Sequence, residues 1–352
     1  APSPRPASAT GAEANPVAEG ARAGRSIFPA ESEEARKSQT LWTYWDQGED
    51  AMPPFNRLCI ETWRERNPLW RIWVVDRQSI HELVRPGDLP PTFASLGMHQ
   101  HRADCAKLAL LLRHGGIYMD SSIIVWQDLA HAVGWQRLEE GRLDFVGYYL
   151  DTYAFVENWF LACRRGCPLV TAWHREHRRF WETRTVAGDL RTHPFFKGVD
   201  LGHIHRSHCN YLVQHACYKK LLDLNIDDVR GMDGICLSDA FPLLLIMRLD
   251  ASPDGSLPLR KLMSEEDVGL DRQLEREGVP FLKVTGHFRC LGTCPREYFY
   301  ERRNTMRLLF LRALRSERVD EDSGGAGGAA RAAPEWATQG RCGAGVRRVG
   351  GH

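Results

Sequence analysis

The chain has 352 residues, 43% hydrophobic and 26% charged, an ordinary globular composition with enough length for one large α/β domain or two small ones. A formal net charge of +1 offers no global field for nucleic acid, which is therefore not expected as a partner. Apolar runs such as residues 108–112 and 241–247 fall far short of the ~20 residues that cross a bilayer, and no secretory signal is visible.

Residues 1–39 are rich in Ala, Pro, Gly, Ser and Glu without apolar periodicity, and are expected to form a disordered leader or linker. Residues 40–45 (TLWTYW) are short, apolar and aromatic, as a strand would be. Residues 53–67 carry Phe55, Leu58, Cys59, Thr62 and Trp63 at helical spacing, with Pro54 suited to a first turn. Residues 71–75 (RIWVV) predict a second strand, 79–84 a short helix and 87–92 a Pro-rich loop. A strong helix is predicted over 99–114, ended by Gly115 and Gly116, and a third strand over 117–119. Further on, 145–150 and 154–163 read as strands, 169–181 and 211–222 as helices, 281–285 as a late strand, and 297–315 as one closing helix. Residues 320–352 are expected to be a flexible Gly/Ala/Arg-rich tail, leaving 40–319 as the compact domain. Neither end has the apolar surface to offset chain entropy, so both should be dispensable for folding.

Strand, helix, strand, helix, strand implies an α/β fold with a mostly parallel central sheet flanked by helices. Such sheets bind ligands at the carboxyl ends of their strands, where Asp46, Asp76 and Asp120 are expected. On the helix, Asp104 and Lys107 share a face, while Leu108, Leu111 and Leu112 are expected to turn toward the sheet. Helix, turn and strand together carry Asp104 and Asp120 to one cleft. Carboxylates there suit a divalent ion, and such an ion suits a diphosphate.

At this point the chain resembles a known group of enzymes. Arg102, Asp104, the apolar helix and the run Gly115-Gly116-Ile117-Tyr118-Met119-Asp120 are similar to the "R-x-D … GGIYxDxD" signature of sugar-transferring GT-A enzymes. That group includes a family of mannosyltransferases, the large clostridial toxins and the capsular polysaccharide synthesis proteins. The last is the nearest in pattern, through Trp42 and Trp45, the helix from Cys59 to Asn67, Glu157-Asn158-Trp159-Phe160, and Lys283-Val284-Thr285.

The resemblance implies a GT-A-type nucleotide-diphospho-sugar transferase fold. It also implies transfer of a sugar from a UDP- or GDP-sugar to a glycan or other hydroxyl acceptor, with retention of configuration. Asp104 matches an aspartate that contacts the ribose, and Lys107 stands where relatives have an Arg near the nucleotide or sugar. Asp120 matches the first Asp of DxD, the donor and metal ligand. Ser122 holds the second position, so Mn2+ or Mg2+ would rest on Asp120, Ser122 and a late histidine, His287. Trp42, Trp45, Arg102, Gly116 and Tyr118 are then expected around the nucleotide, and Asn158 and Trp159 in the acceptor or sugar pocket.

Plainer readings stand beside these. Asp120 would serve equally to cap a turn, Asp104–Lys107 as a helix ion pair, and the tryptophans as core. His203, His205, His208 and Cys209 cluster as zinc ligands do, yet a polar loop is the simpler expectation. The arginines over 302–318 suit either a solvated helix face or peripheral membrane contact. The ten cysteines lack a matched zinc spacing and read as free or buried thiols. Because Ser122 replaces an aspartate, a catalytically inactive glycan- or partner-binding module is one alternative. A phosphatase-like hydrolase using Asp120 is another, although Ser122 cannot supply its general acid. The cytoplasm and the Golgi lumen both stay open as compartments.

Overall fold

A computed structural model describes residues 39–150, 155–245, 262–264, 266–284, 294–299, 302–314 and 341–342. The expected leader up to residue 38, nearly all of the expected tail and His287 lie outside the described residues.

Three strands begin the central sheet: β1 (Thr40–Tyr44), β2 (Arg71–Val75) and β3 (Gly116–Met119). β1 pairs in parallel with β2 on one side and β3 on the other. The connections are helical, as a parallel pair requires. Helix α1 (Pro54–Arg66) joins β1 to β2, while α2 (Ile80–Leu83) and α3 (His99–His114) join β2 to β3. The helix over 99–114 falls on its expected bounds. Its surroundings do not match expectation, because residues 104–111 are buried all round and Leu112 is only half-buried. A helix buried on every side lies between layers and is not a surface helix with one apolar stripe. Its second neighbour is α6 (Pro168–Phe180), which in turn packs on α7 (Val213–Asp223).

The sheet continues through β6 (Phe155–Cys163), β5 (Phe145–Leu150), β7 (Ile235–Asp239) and β9 (Arg341–Cys342), in the order β2-β1-β3-β6-β5-β7-β9. β6 is antiparallel to both β3 and β5, and β5 is parallel to β7. Five of the seven strands therefore run one way, the mostly parallel α/β arrangement that the strand and helix alternation predicts. Arg341–Cys342 pairs along β7, so this part of the expected tail is strand.

β4 (Ile123–Val125) leaves the main sheet and pairs antiparallel with β8 (Phe281–Lys283). Helix α1 satisfies β4 along its length: the Trp63 indole donates to the Ile123 carbonyl at 2.7 Å, and the Val125 amide donates to the Thr62 hydroxyl at 3.0 Å. Leu41, Ile117 and Met119 face this side, joining α1, β4, β8, α8 (Val268–Arg276) and α9 (Thr305–Leu314) in one core. Trp42 and Tyr118 alternate to the other face, toward α3.

Several elements went unpredicted. They are β4, β7, α8, α4 (Leu129–Val133) and α5 (Trp135–Glu139), which are short pieces whose periodicity cannot be read over so few residues. The single closing helix expected over 297–315 is broken. Its first part is a 3-10 turn at Arg296–Phe299, and α9 starts only after Asn304, whose side chain accepts from the Arg307 amide at 2.8 Å. An Asn oxygen that satisfies a free helix amide favours starting the helix at that point. Among the described arginines of that face, Arg302 lies over the Tyr298 ring, Arg307 pairs with Glu266 and Arg312 reaches Asp271. Among the described residues no helix is long and apolar enough to cross a membrane.

Gly115 and Gly116 form the hinge between α3 and β3, both at positive φ (67° and 96°). A Cβ on Gly116 would sit 2.6 Å from the Thr40 carbonyl oxygen and 2.9 Å from the Trp42 indole nitrogen. Backbone cannot yield easily at that distance. Gly116→Ala is expected to destabilise the fold by about 2 kcal/mol or more. A denaturant midpoint equal to that of the parent would show that the close approach is not a constraint.

Candidate active site

Asp120 is the residue after β3, at the edge where β1 and β2 also end. Its amide donates to the Trp159 carbonyl at 2.9 Å. Its side chain is 34% exposed, the most open member of a cluster that is otherwise covered. Lys283, at the end of β8, donates to Asp120 Oδ2 at 2.7 Å and to Ser122 Oγ at 2.8 Å. From α3, Lys107 donates to Asp104 Oδ1 at 3.1 Å and stands 3.7 Å from Asp120 Oδ1. Two carboxylates and two ammonium groups thus alternate across the end of the sheet.

The electrostatics follow from that alternation. Burial works to raise the Asp120 carboxyl, but Lys283 and then Lys107 outweigh it and hold it below the usual carboxylate range. Asp104 goes the other way. Burial lifts it to about 6, Lys107 opposes the rise, and the Asp120 charge adds to it. Lys107 is 2% exposed and lies 4.8 Å above the Tyr118 ring, so the two aspartates are its compensation.

β6 completes the site through an irregularity. Pairing with β5 runs Gly147 to Leu161, then jumps from Tyr148 to Glu157. Residues 158–160 are therefore extra relative to β5, a bulge beside the cluster that re-aims its side chains. Asn158 uses its amide nitrogen to reach Asp104 Oδ1 at 3.0 Å and Gln214 Oε1 at 2.9 Å. Glu157 is raised to about 7 by burial, with Lys283 the largest charge opposing the rise. His215, on α7, is held down to about 3 by burial and then by Lys107, with Asp120 opposing. Among the described residues, Gln214 Nε2 and His215 Nδ1 are buried without a hydrogen-bond partner.

Asp104, Lys107, Asp120, Ser122 and Asn158 are brought together. Other expected ligand contacts are spoken for elsewhere. Trp42 is 1% exposed, its indole donating to the Gly115 carbonyl at 2.9 Å and its ring packing on His114 and Trp73, so it cannot stack on a base. Tyr118 is sealed beneath Lys107. Gly116 is needed by the backbone contact described above. Arg102 grips Asp46 with two bonds of 2.7 and 2.8 Å, and Asp46 also accepts from the Tyr44 hydroxyl. That fork ties the first turn of α3 to the end of β1 and leaves Arg102 no free face for a nucleotide. Trp159 is 3% exposed and stacks on Tyr148 at 5.5 Å, in the core and not in a pocket. Trp45 is half-buried against the core, with its indole nitrogen unpartnered among the described residues. His205 caps a 3-10 turn by accepting from the Ser207 amide, the polar-loop reading of that histidine cluster.

The expected divalent ion does not fit these residues. The oxygens that would hold it, Asp120 Oδ2 and Ser122 Oγ, already accept from one lysine, and a second lysine faces Asp120 Oδ1. Among the described residues, no three His, Cys, Asp or Glu side chains are grouped to hold a metal. Lys283 is far from Asp120 in sequence. The motif showed the aspartate and the serine but not the cation between them. Lys283, Glu157, Gln214 and His215 are the site residues that sequence reasoning missed. Lys283 and Glu157 lay inside stretches noted for their resemblance, but nothing local marked them as part of a site.

Residues 22–195 match the family model described as "Capsular polysaccharide synthesis protein", a segment that includes Asp104, Asp120 and Asn158 and ends before Lys283. The chain is 25% identical over 224 residues to Glycosyltransferase afumC of Aspergillus fumigatus, covering 56% of this chain and 57% of that protein. It is 25% identical over 179 residues to O-glycosyltransferase braB of Annulohypoxylon truncatum, covering 46% and 42%. It is 24% identical over 270 residues to Probable glycosyltransferase FCK3 of Fusarium pseudograminearum, covering 62% and 68%. The chain thus spans about half the length of the first two. A solved structure, PaToxG Glycosyltransferase, overlaps at a TM-score of 0.31 with 12% identity, over 54% of this chain and 73% of that one, too loosely to carry an argument.

Glu157 gives a test of the site's electrostatics. Its folded value, about 7, lies above the ordinary 4.5, so folding takes up a proton. Its stabilising contribution is present below the unfolded value and is lost as pH rises through the folded one. Glu157→Gln should melt higher than the parent at about pH 8 and show a flatter dependence of melting temperature between about pH 5 and 7. An unchanged slope would assign the burial to another group.

Proposed function

With residues 22–195 belonging to the capsular polysaccharide synthesis protein family, we propose that this chain is a glycosyltransferase. It moves a sugar from a UDP- or GDP-sugar to a hydroxyl of a glycan or other acceptor. The observation that carries the reading is the part-exposed Asp120 held between Lys107 and Lys283 at the carboxyl edge of the sheet. Relatives named glycosyltransferase and O-glycosyltransferase support the reaction class and an oxygen acceptor.

In the proposed reaction the acceptor oxygen bonds to the sugar's anomeric carbon. The bond from that carbon to the diphosphate oxygen breaks with its electron pair on the diphosphate, and the acceptor's proton leaves with it. Retention of configuration, the stereochemistry that the resemblance implies, belongs to the same reading. Negative charge grows on the departing diphosphate, and preorganised cations at that point lower the barrier. Lys107 and Lys283 are fixed before the donor arrives, held by Asp104, Asp120 and Ser122. The buried nitrogens of Gln214 and His215, without a partner among the described residues, are suited to polar groups of the donor. A hydrolase with Asp120 as nucleophile fits less well, because a carboxylate oxygen bound to a lysine at 2.7 Å is a weak nucleophile.

The check is donor turnover over a panel of UDP- and GDP-sugars. Asp120→Asn keeps the shape but removes the charge that orients both lysines, and is expected to lower kcat by about 100-fold or more and to lower the melting temperature as well, because buried Lys107 loses one of its two compensating carboxylates. If Asp120→Asn keeps full turnover, Asp120 is not in the active site. A parent protein that turns over no donor in the panel, yet binds one, would favour the inactive module.

A further inference from the structure

Resting on the glycosyltransferase reading, we infer that Lys283, with Lys107, supplies the positive charge for the donor's diphosphate, and that the chain binds its nucleotide without a divalent ion.

The placement of Lys283 is structural. Its backbone is paired opposite Ile123 in the β4–β8 ladder, and the Val284 amide donates to the Ser122 carbonyl at 2.9 Å. Ser122 and Lys283 are therefore held to each other by main-chain bonds on either side of the ladder's end. The side chain is 9% exposed and runs between Asp120 and Ser122, the residues expected to hold a metal. Asp120 Oδ2 accepts from it at 2.7 Å and Ser122 Oγ at 2.8 Å.

Charge completes the argument. Ser122 contributes no formal charge where an aspartate would, so the site has one negative charge fewer than an Asp-x-Asp pair. One monovalent ammonium balances Asp120, whereas a divalent ion beside it would stand among two lysines and face their repulsion. An ammonium carries three N–H bonds, and among the described residues Asp120 and Ser122 take two from Lys283. In the complex a diphosphate oxygen takes another, while Lys107 reinforces the field from the far side of Asp120. Serine at residue 122 and lysine at residue 283 are thus one arrangement. A carboxylate at residue 122 would draw the lysine to itself and leave the diphosphate less well served.

The experiment is calorimetric titration of the full chain with UDP and with GDP, in EDTA and again with saturating manganese. The expected result is binding of one nucleotide with affinities that agree within about threefold between the two conditions. Binding that appears only with manganese overturns the inference and leaves the glycosyltransferase reading standing. Binding of neither nucleotide in either condition overturns both. Lys283→Gln is expected to weaken binding in EDTA by about 30-fold or more, with Lys283→Arg recovering part of it. Unchanged affinity in a folded Lys283→Gln protein overturns the assignment. Should that variant not fold, the EDTA comparison on the parent still decides the need for a divalent ion, and Lys283→Met, a neutral side chain of similar length, takes the place of Lys283→Gln, with unchanged affinity overturning the assignment to Lys283.

Discussion

Lys107 is a lysine in the middle of a helix that is buried on every side, and its charge has to be answered within the protein. Asp104, one turn earlier on α3, answers it directly at 3.1 Å. Asp120 answers it from the next strand at 3.7 Å. Because these partners sit on different elements, the pairing fixes how α3 lies against β3. Asp120 in turn engages Lys283, which draws in β8, and Asp104 engages Asn158, which draws in the β6 bulge. A buried ion chain of this kind is weak evidence for stability, since burial costs much of what pairing returns. It is better evidence for a site, because groups held partly desolvated act strongly on an incoming charge.

Everything around the chain of charges holds it still. The glycine pair lets β3 lie against β1 and β6 at distances that no other residue permits. The Arg102–Asp46 fork ties α3 to the loop after β1. Beneath the site, Phe160 stacks on Phe281 at 4.9 Å and Trp159 on Tyr148, so β6 and β8 share an aromatic floor. Residues that looked like ligand contacts in the sequence, Trp42, Arg102, Gly116 and Tyr118, belong to this frame. They position groups that face the cleft and do not face it themselves.

The Ser122 position shows how a departure from a motif is to be read. Taken alone, serine for aspartate suggests a site that has lost a ligand and with it a function. The lysine held beside it changes the meaning: one charge is missing from the motif, and a positive side chain stands in the gap. Loss and replacement are indistinguishable until both residues are seen together.

Local information sufficed where the physics is local. Alternation and propensity marked β1, α1, β2, α3 and β6 to within a residue or two, and the glycine pair marked the end of α3, because those patterns repeat over many positions. The Asp104, Lys107 and Asp120 trio was legible too, since helix spacing and one short turn bring them together. What the sequence could not carry was contact across long separations. Lys283 lies 163 residues from Asp120 and 161 from Ser122. Its arrival depends on β4 leaving the main sheet to pair with β8, and β4 is too short to announce itself. Whether an indole is buried or open, whether an arginine is free or clasped, and whether a carboxylate meets a metal or a lysine are decided by which surfaces are packed together. Composition and spacing determined an α/β sheet with acidic groups at its edge, and only the tertiary structure decided which charges those groups meet.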